Sequence, residues 1–273
     1  MGSKVVKCGK LNISNENSFT LIAGPCQLEN EKHALEIASK LKNITQKLKI
    51  GLIYKTSYDK ANRTSLQGKR GAGLEKSLPV FDKIRKELDI PVLTDVHTAE
   101  QCEIVSKHVD VLQIPAFLCR QTDLLIAAAK TGKVINVKKG QFLAPWDMKN
   151  VVNKLEESDC TKILLTDRGT QFGYNNLVAD MRAIPIMQDF GYPVIFDATH
   201  SAQLPGGNGK TTGGNREIIP TLAKSAVAAG CNGVFMEVHN DVENAKSDAT
   251  TQWPLANLEE LLDQLLKIRS SIS

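Results

Sequence analysis

The stretch Lys60-Ala61-Asn62-Arg63-Thr64-Ser65 gathers two cations, an amide and two hydroxyls directly after the strand-like run Gly51 to Ser57, which itself carries Lys55. Bidentate, charge-assisted donors beside adaptable neutral ones are the mixture that a sugar phosphate requires. A solvated basic turn has the same composition, so the meaning of the stretch depends on what converges with it. A second set, Cys26, His200, Glu237 and Asp248, offers a thiolate, an imidazole and two carboxylates. Mixed S, N and O donors suit a borderline divalent ion, with Zn²⁺, Fe²⁺, Mn²⁺ and Co²⁺ all open. Their spacing matches no short metal motif, and a core thiol is the alternative for Cys26.

Residues so far apart need a scaffold to bring them together. Short β-branched runs alternate with longer amphipathic stretches along the chain. Strands are expected at Phe19 to Ala23, Leu52 to Thr56, Val92 to Asp95, Val111 to Ile114, Val134 to Lys138, Ile163 to Thr166, Val194 to Asp197 and Val234 to Val238. Helical patterns cover Glu31 to Leu48, Leu74 to Leu88, Asn176 to Phe190, Arg216 to Ala229 (interrupted by Pro220) and Leu258 to Ile268. Eight βα units in 273 residues predict an α/β fold, a (β/α)8 TIM barrel forming a single domain over residues 1–273. A doubly wound open sheet is the rival, but no GxGxxG turn follows the first strand. Two alternating runs around Gly9-Lys10 predict that residues 1–15 form a hairpin plugging the barrel bottom.

In such a barrel the strand ends carry the chemistry. They read Cys26, then Lys55 and Lys60, Asp95 with His97, Gln113, Lys138, Arg168, Asp197 with His200, and Glu237 with His239. Lys55, Lys60, Lys138 and Arg168 suit a ligand with both a phosphate and a carboxylate, and the loops add Arg63 and Arg120. Salt bridges to Asp95 and Asp197 are the competing use of those cations. The glycine-rich run Pro205 to Gly214 either folds over a ligand or is a surface loop without a role.

Net charge is +4 with no long basic block, so bulk nucleic-acid binding is not expected. The start lacks an apolar signal core, and no apolar run approaches the roughly 20 residues of a membrane span. A cytoplasmic protein without membrane contact is expected. Six scattered cysteines contain no CxxC pair and suggest neither a disulfide framework nor a zinc ribbon.

The ordered motifs Ala23-Gly24-Pro25-Cys26, Lys55 to Ser65, Thr94 to His97, Gln113 to Leu118, Arg120 to Leu124, Asn136 to Lys139, Asp167-Arg168-Gly169, Phe196 to His200 and Ser247-Asp248-Ala249 span nearly the whole chain. On them the chain resembles the 3-deoxy-D-manno-octulosonate 8-phosphate synthases, which condense phosphoenolpyruvate with D-arabinose 5-phosphate and water. The resemblance implies phosphate contacts from Lys138, Arg168 and the Ala116 backbone, and carboxylate contacts from Lys55, Lys60 and Gln113. It places Arg63 and Thr64 on the aldose phosphate, Asn62 near the reacting end of the aldose, and Asp95 among the substrate-binding groups. Arg120 would reach in from a neighbouring subunit of a homotetramer. Lys60, Asn62, Lys138, His200 and Asp248 are the implied catalytic groups. Some relatives carry Asn where this chain has Cys26; with Cys26, His200, Glu237 and Asp248 all on ligand positions, the metal-dependent class is implied. The sequence departs at Thr64, where many relatives have Ser, and at Ala72, where some have Pro. The related heptulosonate phosphate synthases, which use erythrose 4-phosphate, usually read Lys-Pro-Arg-Thr-Ser where this chain inserts Ala61-Asn62.

Overall fold

The computed structural model describes residues 2–16, 19–63, 65, 68–207 and 213–272. Strands β1 (Val6–Cys8) and β2 (Leu11–Ile13) pair antiparallel across Gly9, whose φ of 56° suits a residue without a Cβ. The barrel strands are β3 (Thr20–Gly24), β4 (Gly51–Lys55), β5 (Val92–Asp95), β6 (Val111–Ile114), β7 (Val134–Lys138) and β8 (Ile163–Asp167). A small hairpin of β9 (Thr170–Gln171) and β10 (Leu177–Val178) precedes barrel strand β11 (Val194–Asp197). A second small pair, β12 (Gln203–Leu204) and β13 (Gly213–Gly214), precedes β14 (Gly233–His239), and short β15 (Trp253–Pro254) pairs on its end. The order β11-β8-β7-β6-β5-β4-β3-β14 is parallel throughout, and β11 pairs back on β14 to close the barrel.

Each barrel strand is buried along its whole length, which explains its continuous apolar run. Around them pack α1 (Glu31–Leu48), α2 (Leu74–Leu88), α3 (Ala99–Ser106), α4 (Thr122–Lys130), α5 (Met148–Glu156), α6 (Ala183–Gln188), α7 (Ala198–Ser201), α8 (Ile219–Ala228) and α9 (Leu258–Ile272). In α1 the buried positions Ala34, Ile37, Ala38, Leu41 and Thr45 follow helical spacing. Asn30 caps its start by accepting from the His33 amide at 2.9 Å, and Lys49 ends it in the left-handed conformation.

The N-terminal hairpin covers the barrel bottom as expected. Val6, Cys8 and Ile13 are buried, and Asn232, just before β14, donates to the Ser14 carbonyl at 3.0 Å. Burying each aliphatic side chain here contributes about 1.5–3 kcal/mol.

The expected helix from Asn176 to Phe190 is corrected. Residues 170–178 instead form the β9–β10 hairpin, turning through Gly173 and Asn175 at positive φ, and α6 starts only at Ala183. The Asp180 carboxylate accepts from the Arg182 amide at 3.1 Å, a local bond that favours a turn before the helix. Pro220 does not interrupt a helix but sits in the first turn of α8, where its missing N–H costs nothing. Among the described residues, no helix is long and apolar enough to cross a membrane.

Candidate active site

A cavity of about 1010 Å³ opens at the C-terminal ends of the strands. Lys55, Asp95 and Lys138 end β4, β5 and β7, Arg168 follows β8, and His200 rides on α7 after β11, so each lining side chain is fixed by a strand end or the turn after it. Gln113 is oriented from below: Asn136, fully buried, donates to its Oε1 at 3.0 Å, and Thr166 donates to Asn136 at 2.6 Å. That commits the amide oxygen of Gln113 and leaves its N–H groups for a ligand acceptor.

Two carboxylates hold the cations. Asp197 accepts from Lys138, while Glu237 Oε1 accepts from Lys55 at 2.5 Å and lies 3.5 Å from Lys60. The salt-bridge alternative is therefore realised at Asp197, whereas Asp95 accepts from Ser57 at 2.5 Å and lies 3.1 Å from His97 Nε2. Lys138 Nζ also stands 3.5 Å from the centre of the Phe235 ring. Burial pushes the Lys138 ammonium down to about 8, partly offset by Asp197. Burial opposes ionisation of Glu237 too, but Lys55, His200 and Lys60 outweigh it and hold that carboxyl well below its ordinary range. Arg168 donates through Nη2 to Gln203 at 2.6 Å, and its buried Nη1 has no partner among the described residues. A guanidinium left half-used in a cavity is a ready anion donor.

The second set converges beside it. Register pairs Glu237 of β14 with Gly24 of β3, which brings Cys26 beside Glu237. A Cβ on Gly24 would stand 1.9 Å from the Lys55 carbonyl oxygen, so only glycine lets the chain leave β3 this close to β4. Cys26, Glu237 and Asp248 offer donor atoms within 4.8 Å of one another. His200 Nε2 lies 3.6 Å from Glu237 and 3.8 Å from Asp248, while its Nδ1 lies 2.7 Å from Asp197. A carboxylate beside Nδ1 favours a proton there and leaves the Nε2 lone pair toward the other donors. Burial, then Asp248 and Glu237, push the Cys26 thiol well up. A thiol and two carboxylates closing on one point with an imidazole nitrogen make a mixed S, O and N donor set that fits a divalent cation. Asp248 holds its place at a φ of 46°, a left-handed conformation that Asp tolerates better than most residues.

Lys55, Lys60, Asn62, Arg63, Asp95, Gln113, Ala116, Lys138, Arg168, His200 and Asp248 all line the cavity. Cys26 and Glu237 are buried against it, joined through Asp248 and His200. Arg120 is exposed and outside the lining. Thr64 lies outside the described residues, as do residues 208–212 of the glycine-rich run, whose last two residues form β13 and pair with β12 just before the run. Three groups were assigned no role from sequence. Ser247 Oγ accepts from the Cys26 thiol at 2.9 Å, Gln252 accepts from the Cys26 amide at 3.2 Å, and Gln203 accepts from Arg168. For Ser247 its place beside Asp248 was a usable signal; for Gln203 and Gln252 there was none.

A closed (β/α)8 barrel whose strand ends gather buried cations around one cavity, with a divalent donor set alongside, defines a barrel enzyme for an anionic substrate. Comparison with known proteins narrows this. The chain belongs to the DAHP synthetase I family, which matches residues 4–273. It is 60% identical over 261 residues to the 2-dehydro-3-deoxyphosphooctonate aldolase of Chelativorans sp., covering 96% of this chain and 95% of that protein. Identity is also 60% over 264 residues to the enzyme of that name from Brucella ovis, covering 97% of this chain and 95% of the relative. The Mesorhizobium japonicum protein of the same name is 60% identical over 262 residues, covering 96% and 95%.

Proposed function

We propose that this chain condenses phosphoenolpyruvate with D-arabinose 5-phosphate and water, giving 3-deoxy-D-manno-octulosonate 8-phosphate and inorganic phosphate for Kdo and lipopolysaccharide synthesis. The observation that carries this is one cavity lined by Lys55, Lys60, Lys138 and Arg168 together with Asn62 and Arg63. The name shared by relatives at 60% identity supports it. Lys138, Arg168 and the Ala116 amide take the phosphate of phosphoenolpyruvate, and Lys55, Lys60 and Gln113 its carboxylate. Asp95 completes the substrate-binding groups. Arg63 and Thr64 take the aldose phosphate, with Arg120 supplied across an interface of a homotetramer, and Asn62 meets the aldose near its aldehyde.

C3 of phosphoenolpyruvate forms the new bond to the aldehyde carbon, water adds at C2, and phosphate leaves with cleavage of its C–O bond. Lys138 and Arg168 neutralise the phosphate, and holding both substrates in one cavity supplies the orientation. Cys26, His200, Glu237 and Asp248 would hold a divalent ion, Fe²⁺, Mn²⁺, Zn²⁺ or Co²⁺, which when bound either acidifies water or orients it and the aldehyde. His200 and Asp248 are the groups placed to pass a proton. The enzyme is read as one barrel domain acting in the cytoplasm.

Phosphate release measured with phosphoenolpyruvate and arabinose 5-phosphate, before and after chelation, tests the proposal. Release with that aldose, lost on chelation, is expected. Release with erythrose 4-phosphate alone would move the chain to the heptulosonate reaction after which its family is named.

A further inference from the structure

Gln203 is buried in the cavity wall, 8% exposed, with a hydrogen bond at each end of its amide. Its Oε1 accepts from Arg168 Nη2 at 2.6 Å, and its Nε2 donates to Asp248 Oδ2 at 3.1 Å. The orientation is not arbitrary. A guanidinium only donates and an ionised carboxylate only accepts, so among side chains of this length only a primary amide serves both partners. The same Asp248 oxygen lies 3.6 Å from Cys26 Sγ and 3.8 Å from His200 Nε2. At the other end of the bridge, Arg168 keeps Nη1 without a partner among the described residues. Any anion that draws the guanidinium toward itself therefore pulls, through one rigid amide, on the oxygen aimed at the divalent donor set.

Resting on the function proposed above, we infer that Gln203 is a positioning residue that couples the phosphate subsite at Arg168 to the divalent-ion subsite at Asp248. Its backbone strengthens the link. Gln203 lies in β12 and pairs with Gly214 of β13, so the amide also sits at the paired base of the glycine-rich run. Gly214 has no room for a side chain there, since a Cβ would stand 2.1 Å from Thr251 Cγ2. Thr251 in turn donates its amide to the Asp248 carbonyl at 3.0 Å, fixing the same turn from its far side.

Coupling is reciprocal: if phosphate changes divalent affinity by a factor, the divalent ion changes phosphate affinity by the same factor. The probes are Cd²⁺, followed by its thiolate charge-transfer absorbance, and inorganic phosphate, followed by calorimetry, with each titrated in the absence and presence of the other. A factor on the order of 5 to 150 is expected in the parent. Gln203→Met, which keeps the length and removes both bonds, should bring it to about 1, as should Gln203→Asn, which is too short to span both partners. Far-ultraviolet circular dichroism and melting temperature verify that each variant is folded. An unchanged factor in either folded variant overturns the inference, and so does a parent that binds both probes independently or binds no Cd²⁺. A coupled parent that releases no phosphate from phosphoenolpyruvate would instead refute the proposed function and leave the coupling intact.

Discussion

Nδ1 of His200 lies 2.7 Å from Oδ2 of Asp197, and the same carboxylate accepts from Lys138. Asp197 also accepts from the His200 amide at 2.9 Å, so it fixes the backbone that carries the imidazole while its carboxylate lies close to the ring. One acid thus lies against the His200 imidazole on one side and the Lys138 ammonium on the other. Asp197→Asn removes the charge that favours a proton on Nδ1. Divalent affinity should fall about 10- to 100-fold, the usual cost of losing such an orienting partner. Competition with a chromophoric chelator measures it; an unchanged affinity would show that the contact does not tune His200.

The buried position of Lys138 predicts a pH dependence. Its ammonium is pushed down to about 8, so in the free enzyme it loses its proton as pH rises through that value. kcat/KM for phosphoenolpyruvate should then decline above about pH 8. Bound phosphate favours the charged lysine, so the corresponding limb of kcat should lie at higher pH. The sign for stability is opposite to that of an ordinary salt-bridged lysine. Between about 8 and the ordinary value of 10.5 the unfolded chain holds more protons at this residue than the native one, so its contribution to unfolding free energy rises with pH. Lys138→Arg, which does not titrate in this range, should abolish the kcat/KM limb; a limb that persists would assign it to another group.

Much of this site was legible because barrel geometry turns sequence position into spatial position. Lys55, Asp95, Lys138 and Asp197 each end a buried strand, and closure of β14 on β3 carries Glu237 to Cys26 whatever their separation. What escaped was the polar bracing between loops. Gln203 and Gln252 each bridge two groups distant in sequence whose approach is set by the paths of connecting segments, and no periodicity encodes such a path. The same limit explains the start of the expected helix at Asn176, where residues 177–178 instead pair back on β9 after a turn through Gly173 and Asn175 at positive φ.

Lys55 and Glu237 form an ion pair with almost no exposure on either side, 2% and 1%. Lys55→Met should cost stability because it leaves a carboxylate in the barrel, a loss of about 3–5 kcal/mol when no cation remains nearby. Lys60 at 3.5 Å from the same oxygen should hold the loss toward the lower bound. Chemical denaturation measures it. The double variant Lys55→Met with Glu237→Gln should recover part of that loss, because it removes the stranded charge.

Cys26 supports the most discriminating prediction about the divalent ion. Its sulfur stands 3.6 Å from Asp248 and within 4.8 Å of a Glu237 oxygen, so three acidic groups share a buried space. A divalent cation would hold all three by displacing the thiol proton; an amide at position 26 would hold the two carboxylates differently, by donating N–H bonds to them. Cys26→Asn should therefore lose the thiolate–Cd²⁺ absorbance yet keep part of its phosphate release, and that residue of activity should withstand chelation. Cys26→Ala removes the acid without supplying donors, and should be nearly inactive with or without added Mn²⁺, Fe²⁺ or Zn²⁺. Phosphate release by parent and both variants, each before and after chelation, checks this. Full, chelator-insensitive release by the Ala variant would show that the donor set does not serve the reaction through a bound ion.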